Sequence, residues 1–368
     1  VPNDPSNLTF EPVAVEPDLP SARRTDWPMG DQNATHKDKM AAFEAAADAA
    51  FADPAIRTKA FIVLHDGKIV AERYDQGVDA NTSFHGWSMT KSVMTTYMAV
   101  LEHQGHLRIF EETDYDEWAD DERNQIRLGD LLRMSSGLKC YRPQDYPKSE
   151  WDAMEYPHYL MTWIDATDSV SFSTALPKQF APGTHGRYKD CDPSLLSGVL
   201  REKIEKTDGE YYTWPQRMIF DKIGIRSMGI GVDAAGNFLT GADGFATARD
   251  WARLGLLWEQ EGVAPDGTRL FGDHFVDFAV MPTPAWTMGS RYGAGFWASL
   301  NSMDDPFDLP RSTYWMAGGT EQKVAIIPSH DLVVVRLAFD DLKGGPGRSK
   351  ALGQAVRLAV DAVEAMEP

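Results

Sequence analysis

The chain has 368 residues, well above the ~150 of a common compact unit, so one large domain or two interleaved ones are expected. Hydrophobic residues make up 43% and charged residues 25%. That is ordinary globular usage and excludes a collagen-like, disulfide-scaffold or wholly disordered chain. With 36 basic against 55 acidic side chains the net charge is −19, which repels phosphate backbones and speaks against nucleic acid as a partner. No run approaches the ~20 apolar residues needed for a membrane span.

Residues 1–36 are rich in Pro, Asp, Asn and Ser with little periodicity, and read as an extended arm wrapping the surface or a partly mobile tail. No charged-then-apolar signal segment is visible, so either none exists or it has been removed; the start at Val1 leans toward a periplasmic or secreted protein, or a trimmed one, over a cytoplasmic one. A helical pattern begins near Lys37 (Met40, Phe43, Ala46, Ala47, Ala50). Next comes a hairpin: the apolar run Phe61–Leu64, the turn pair Asp66-Gly67, then Ile69-Val70 through Tyr74. Residues 85–260 read as mostly helical, broken by irregular stretches at 139–180 and 227–245. A second hairpin joins Val324–Ile327 to Leu332–Leu337 across Pro328–Asp331. From Ser349 onward Leu352, Val356, Ala359, Val360 and Val363 keep helical spacing.

Strands near both ends with helices between predict an α+β fold. One antiparallel sheet is built from both termini and flanked by helices, with an inserted, mostly helical domain. The expected division is an arm over 1–36, a sheet domain over 37–84 and 241–368, and a helical domain over 85–240. Cys140 and Cys191 match no zinc spacing; a bridge between them and two buried thiols are equally compatible with the sequence.

The most informative tetrapeptide is Ser88-Met89-Thr90-Lys91. It opens an apolar helix (Val93, Met94, Tyr97, Met98, Val100, Leu101). Ser88 is therefore expected at a helix start, where unpaired N–H groups and the positive dipole end stabilise a developing alkoxide or oxyanion. Lys91 falls on the same face one turn on, where apolar neighbours desolvate its ammonium and favour the neutral amine. A neutral lysine can take a serine proton and so activate the nucleophile without histidine. The pattern is loose, and a second copy, Ser136-Gly137-Leu138-Lys139, follows a helical stretch (Leu128, Leu131, Leu132) that Gly137 would stop. Its serine would face a negative helix end, which disfavours an alkoxide. Neither Gly-x-Ser-x-Gly nor His-Glu-x-x-His occurs.

The order of motifs resembles the serine β-lactamase and penicillin-binding-protein superfamily over roughly residues 55–365. The nearer likeness is to the class C-like branch of esterases, D-amino-acid peptidases and 6-aminohexanoate-dimer hydrolases. Trp87-Ser88-Met89-Thr90-Lys91 resembles the first family motif. Pro182-Gly183-Thr184 with Tyr188-Lys189-Asp190 and Leu195–Gly198 resembles the second, with Asp190 where Asn is common. Gly244–Asp250 is similar to a segment that starts a helix near the sheet. Tyr314–Gln322 followed by Val324–Pro328 resembles the third, with Met316-Ala317-Gly318 where Lys-Thr-Gly or His-x-Gly is usual and Glu321 where glycine is common.

The resemblance implies a β-lactamase/transpeptidase-like fold and a serine hydrolase that cleaves small amides or esters through an acyl-enzyme. Ser88 would be the nucleophile, Lys91 the base, and Tyr188 the group that passes a proton to the leaving group. The N–H groups of Ser88 and Gly319 would form the oxyanion hole, and Asp190, Met316, Ala317 and Gly318 would face the substrate. No metal or organic cofactor is implied, and the oligomeric state is not readable. Without a third-motif lysine to hold a carboxylate, a true β-lactamase or D-Ala-D-Ala-type peptidase is the less favoured activity. A fold that kept its shape as a non-catalytic binding protein is the further alternative. Trp118, Tyr141, Tyr146, Trp151, Tyr156, Tyr159 and Trp163 are expected to include residues lining the cleft.

Overall fold

A computed structural model describes residues 10–11, 13–140, 168–207, 210–286, 291–298, 307–339 and 348–366. The two hairpins form as their turn residues demand. β1 (Thr58–His65) and β2 (Lys68–Tyr74) turn at Asp66-Gly67, and β8 (Gln322–Ile327) and β9 (Leu332–Ala338) turn at Pro328–Asp331. With β6 (Trp297–Ala298) and β7 (Tyr314–Gly318) they make one six-stranded sheet in the order β2-β1-β9-β8-β7-β6, antiparallel throughout. A small second sheet joins β3 (Ser83–His85), β5 (Gly244–Thr247) and β4 (Gly229–Ile230) in the order β3-β5-β4. The stretch 227–245, expected to be irregular, thus supplies two short strands.

Every residue of β9 is buried, because helices cover both faces of the sheet. On one face Phe61, Val63, Ala325 and Val334 pack against α1 (Met40–Phe51) and α8 (Arg348–Glu364). The helical spacing of both termini explains this. Phe43, Ala46, Ala47 and Ala50 of α1, and Leu352, Val356, Ala359, Val360 and Val363 of α8, lie in that core.

On the other face Ile62, Val324, Ile326, Val333 and Val335 meet α2 (Thr90–His103) and α6 (Ala248–Glu259). α6 starts at Thr247, whose side chain accepts from the Asp250 N–H. All of Thr90–Leu101 is buried, so α2 runs through the core instead of along its surface. Beyond it lie α3 (Leu128–Leu132), α4 (Ser169–Thr174), α5 (Cys191–Thr207) and α7 (Asp273–Val280).

The arm is fastened rather than trailing over its latter part. Trp27 is buried, its indole N–H donates to the Gly67 carbonyl, and the Arg253 guanidinium lies 4.3 Å over its ring. Cys140 and Cys191 form a disulfide, which settles the cysteine question and ties the chain after α3 to the first residue of α5. Among the described residues no helix is long and apolar enough to cross a membrane.

Candidate active site

Three segments far apart in the chain converge at one end of the six-stranded sheet. The first is the 3₁₀ turn Trp87–Met89, which feeds directly into α2 and carries a half-buried Ser88. Trp87 holds a left-handed backbone (φ +49°), an uncommon conformation for a bulky residue. The turn is pinned on both sides: the Gly86 N–H donates to the Gly244 carbonyl at 2.7 Å, and the Thr90 hydroxyl to the Trp87 carbonyl at 2.6 Å.

One turn on, the Lys91 side chain is only 3% exposed. Its Nζ donates to Ser88 Oγ at 3.2 Å, to Asp190 Oδ1 at 2.6 Å and to the Gly241 carbonyl. The helix geometry explains the first contact, since residues three apart share a face. The other two come from the second segment and from the approach to β5.

The second segment is the loop Tyr188-Lys189-Asp190 that leads into α5. The Tyr188 ring lies 4.8 Å from Lys91 Nζ. Behind it Lys189 and Asp192 form a fully buried ion pair at 3.1 Å, and Ser136 Oγ donates to the other Asp192 oxygen at 2.7 Å. Burial pushes the Asp192 carboxyl up, while Lys189 and Ser136 pull it back. Such a pair adds little net stability, but it fixes the loop because breaking it strands a buried charge.

The third segment is the end of β7 and the turn after it. A Cβ on Gly318 would stand 2.1 Å from the Gly86 carbonyl, and one on Gly319 would stand 3.3 Å from the Trp87 ring. Glycine therefore lets this backbone close on the Ser88 turn. Thr320 (φ +57°) and Glu321 (φ +64°) are both left-handed, which is the physical reason glycine is favoured where Glu321 stands. The strained turn is held from below. Arg336, fully buried, donates to the Glu321 carbonyl at 3.1 Å and to the Ile56 carbonyl at 2.6 Å; the Gln322 amide donates to Thr320 Oγ1 at 2.8 Å.

Ser88, Lys91, Tyr188, Asp190, Gly318 and Gly319 are thus brought together. Two expectations are corrected. Met316 is not at the substrate: its side chain is 0% exposed and packs with Val324 and Ile326 in the core, because strand alternation turns it inward. Ala317, paired with Lys323, points to the opposite face. Trp118 does not line the cleft either; it is fully buried and its indole N–H donates to the Thr174 carbonyl. Tyr141, Tyr146, Trp151, Tyr156, Tyr159 and Trp163 lie outside the described residues.

The aromatic wall of the site comes from elsewhere. Tyr188 packs against Tyr292 (5.4 Å) and Trp297 (5.6 Å), and Trp286 against Tyr292 (5.2 Å). Trp286 and Trp297 are half-buried, and the Trp286 indole N–H donates to the Arg133 carbonyl. The density of aromatic residues between 286 and 297 was the signal available for them. On the other side of the serine turn His85 stacks on Phe245 at 4.6 Å and lies 4.3 Å from the Trp87 ring. Asp243 Oδ1 is 3.6 Å from His85; burial raises that carboxyl and His85 works against the rise.

A hydroxyl at the head of a buried helix, an amine at hydrogen-bond distance and a tyrosine against that amine are groups whose chemistry can support nucleophilic acyl transfer without histidine. Comparison with known proteins agrees with the architecture. The Beta-lactamase family model matches residues 41–357, and the chain belongs to that family. Its fold is the β-lactamase/transpeptidase-like α+β fold, and the superfamily is one of generally hydrolytic serine enzymes.

No curated protein matches the chain in sequence. Among solved structures, an inferred 6-aminohexanoate-dimer hydrolase from Bacillus anthracis is 18% identical with a TM-score of 0.68, over 99% of this chain and 90% of that one. A penicillin-binding-protein homologue from Caulobacter crescentus is 18% identical (TM-score 0.63), over 90% of this chain and 98% of that one. A family VIII carboxylesterase is 17% identical (TM-score 0.63), over 87% and 97%.

Proposed function

We propose that the protein is a serine hydrolase that cleaves small amides or esters through an acyl-enzyme on Ser88, as a 6-aminohexanoate-dimer-hydrolase-like amidase or a carboxylesterase. The observation that carries this reading is the 3.2 Å contact between Ser88 Oγ and an almost fully buried Lys91 amine. In its neutral form that amine takes the serine proton as Oγ attacks the substrate carbonyl. The oxyanion rests on the N–H groups of Ser88 and Gly319, on two backbone segments that the close approach of Gly318 to Gly86 brings together. Tyr188, beside the amine, relays the proton to the departing amine or alcohol. Water then attacks the ester on Ser88 by the reverse relay.

Asp190 is the feature that sets this chain apart. Its carboxylate pairs with Lys91 at 2.6 Å and holds the amine in place beside Ser88. Met316, an uncharged and buried side chain, offers no cation at that third-motif position for a substrate carboxylate. Neutral amides and esters fit the site better than β-lactams or peptidoglycan stems.

The test is to treat the protein with a serine-reactive fluorophosphonate, locate the adduct by mass spectrometry, and screen ester, linear-amide and β-lactam panels against native protein and Ser88→Ala. Expected are an adduct on Ser88 and ester or amide turnover that Ser88→Ala abolishes with an unchanged circular-dichroism spectrum. Turnover that survives in Ser88→Ala, or the absence of any Ser88-dependent product, overturns the reading.

A further inference from the structure

One of the groups that accept from Lys91 Nζ is backbone: the Gly241 carbonyl. It belongs to residues 240–244, a strap that runs past the amine into β5. Where this strap stands helps decide where the amine points. α5 holds it from one side, as Thr240 Oγ1 donates to the Pro193 carbonyl at 3.1 Å and lies 2.9 Å from the Ser197 hydroxyl. The serine turn holds its far end, where the Gly244 N–H donates to Thr90 Oγ1 at 2.9 Å and the Gly244 carbonyl accepts from the Gly86 N–H.

Between these anchorages a side chain outside the Ser-x-x-Lys tetrapeptide reaches the strap. His85 Nε2 lies 2.7 Å from the carbonyl of Ala242, the residue next to Gly241. A carbonyl only accepts, so Nε2 carries the proton of this bond. The imidazole is fixed where it stands: β3 pairs His85 with Phe245, and its ring stacks on Phe245 at 4.6 Å and lies 4.3 Å from the Trp87 ring. The carbonyls of Gly241 and Ala242 belong to consecutive peptide planes hinged at the Ala242 Cα, so releasing one frees the other to turn.

We infer that His85 is a positioning residue: its hydrogen bond to Ala242 sets the Gly241 carbonyl and thereby holds the Lys91 amine in line with Ser88 Oγ. The inference rests on the acyl-enzyme reading and adds to it a residue whose own hydrogen bond reaches neither Ser88 nor Lys91.

The experiment measures kcat and KM on the best ester, the rate of fluorophosphonate labelling of Ser88 and the melting temperature, in variants of the full chain. His85→Phe keeps a flat ring beside Trp87 and Phe245 but has no donor. His85→Gln keeps an N–H at nearly the reach of Nε2, whereas His85→Asn, one carbon shorter, keeps the amide but not the reach. His85→Phe and His85→Asn should each lower kcat and the labelling rate about ten- to a hundredfold, the effect of a misplaced base, with KM within about twofold. His85→Gln should recover to within about threefold of the native protein, because the hydrogen bond is restored. Phe245→Ala, which loosens the ring contact and spares the bond, should also stay within about threefold. Since Gln and Asn carry the same group, their comparison decides the matter whether or not His85→Phe folds. A native rate in His85→Asn, a His85→Gln as slow as His85→Asn, or an equal loss in Phe245→Ala overturns the inference while Ser88-dependent turnover persists. If no ester turnover of the native protein depends on Ser88, the acyl-enzyme reading falls and this inference with it.

Discussion

Ser88 and Lys91 stand on the turn that feeds a buried helix. The serine is half-buried, and the lysine reaches back to it from inside the core. Ser136 and Lys139 keep the same spacing four residues beyond α3, where the chain is no longer helical. Ser136 is fully buried and donates to Asp192, and Lys139 is exposed. In the first copy the helix turns spacing into contact. In the second, a left-handed Gly137 intervenes and the two side chains part, one inward and one outward. What a Ser-x-x-Lys can do therefore depends on whether the residues between its ends are helical and on what else competes for the serine hydroxyl.

The contrast is broken or upheld first by the lysines. Lys91→Met keeps the length and burial of the side chain but removes the base. It is expected to lower kcat/KM on the best ester by at least about a thousandfold, while Lys139→Met stays within about twofold of the native protein, since surface changes of this kind are close to neutral. Equal losses from both substitutions would remove the distinction between the copies. The serines should separate by a different readout. Ser136→Ala leaves one Asp192 oxygen without its donor in a fully buried position and is expected to cost about 1–3 kcal/mol in urea denaturation. Fluorophosphonate labelling of Ser88 should continue at the native extent.

Much of this was legible before any coordinates. Tyr74, Asp66-Gly67 and Pro328–Asp331 mark the ends and turns of strands that do pair, and the apolar stripes of the two terminal helices coincide with the residues they bury. These features depend on neighbours in sequence. The proximity of Ser88 and Lys91 is local in the same way.

Features that depend on tertiary register were not legible. Met316 was expected at the substrate because motif position says nothing of which face a strand residue takes, and pairing with Val324 turns it inward. The pairing of Cys140 with Cys191, and the meeting of Trp297 with Tyr188, each join segments that no periodicity links.

Asp190→Asn probes how the first copy is tuned. The amide oxygen can still accept from Lys91, but the charge is gone. The ion pair then becomes a neutral hydrogen bond, so kcat/KM on a neutral ester should fall by no more than about tenfold while KM changes little, far less than in Lys91→Met. A loss as large as that of Lys91→Met would mean that the carboxylate charge, and not the hydrogen bond, keeps Lys91 beside Ser88.

The smallest effect tests the same lesson on buried carboxylates, where again the partner decides. Asp192 faces a lysine and a serine, whereas Glu259 at the end of α6 faces Asp331 across the β8–β9 turn. Burial, reinforced by that like charge, pushes Glu259 up to about 7. The sign follows from linkage. A carboxyl whose value is higher in the folded chain than its usual 4.5 favours folding when protonated. That contribution is complete below about 4.5 and is lost as the pH rises through about 7. Glu259→Gln keeps the shape without the charge. Its melting temperature should match the native protein near pH 4.5 and exceed it by about 2–4 °C once the pH passes well above 7. A gap that does not widen with pH would show that Glu259 does not feel the carboxylate opposite it.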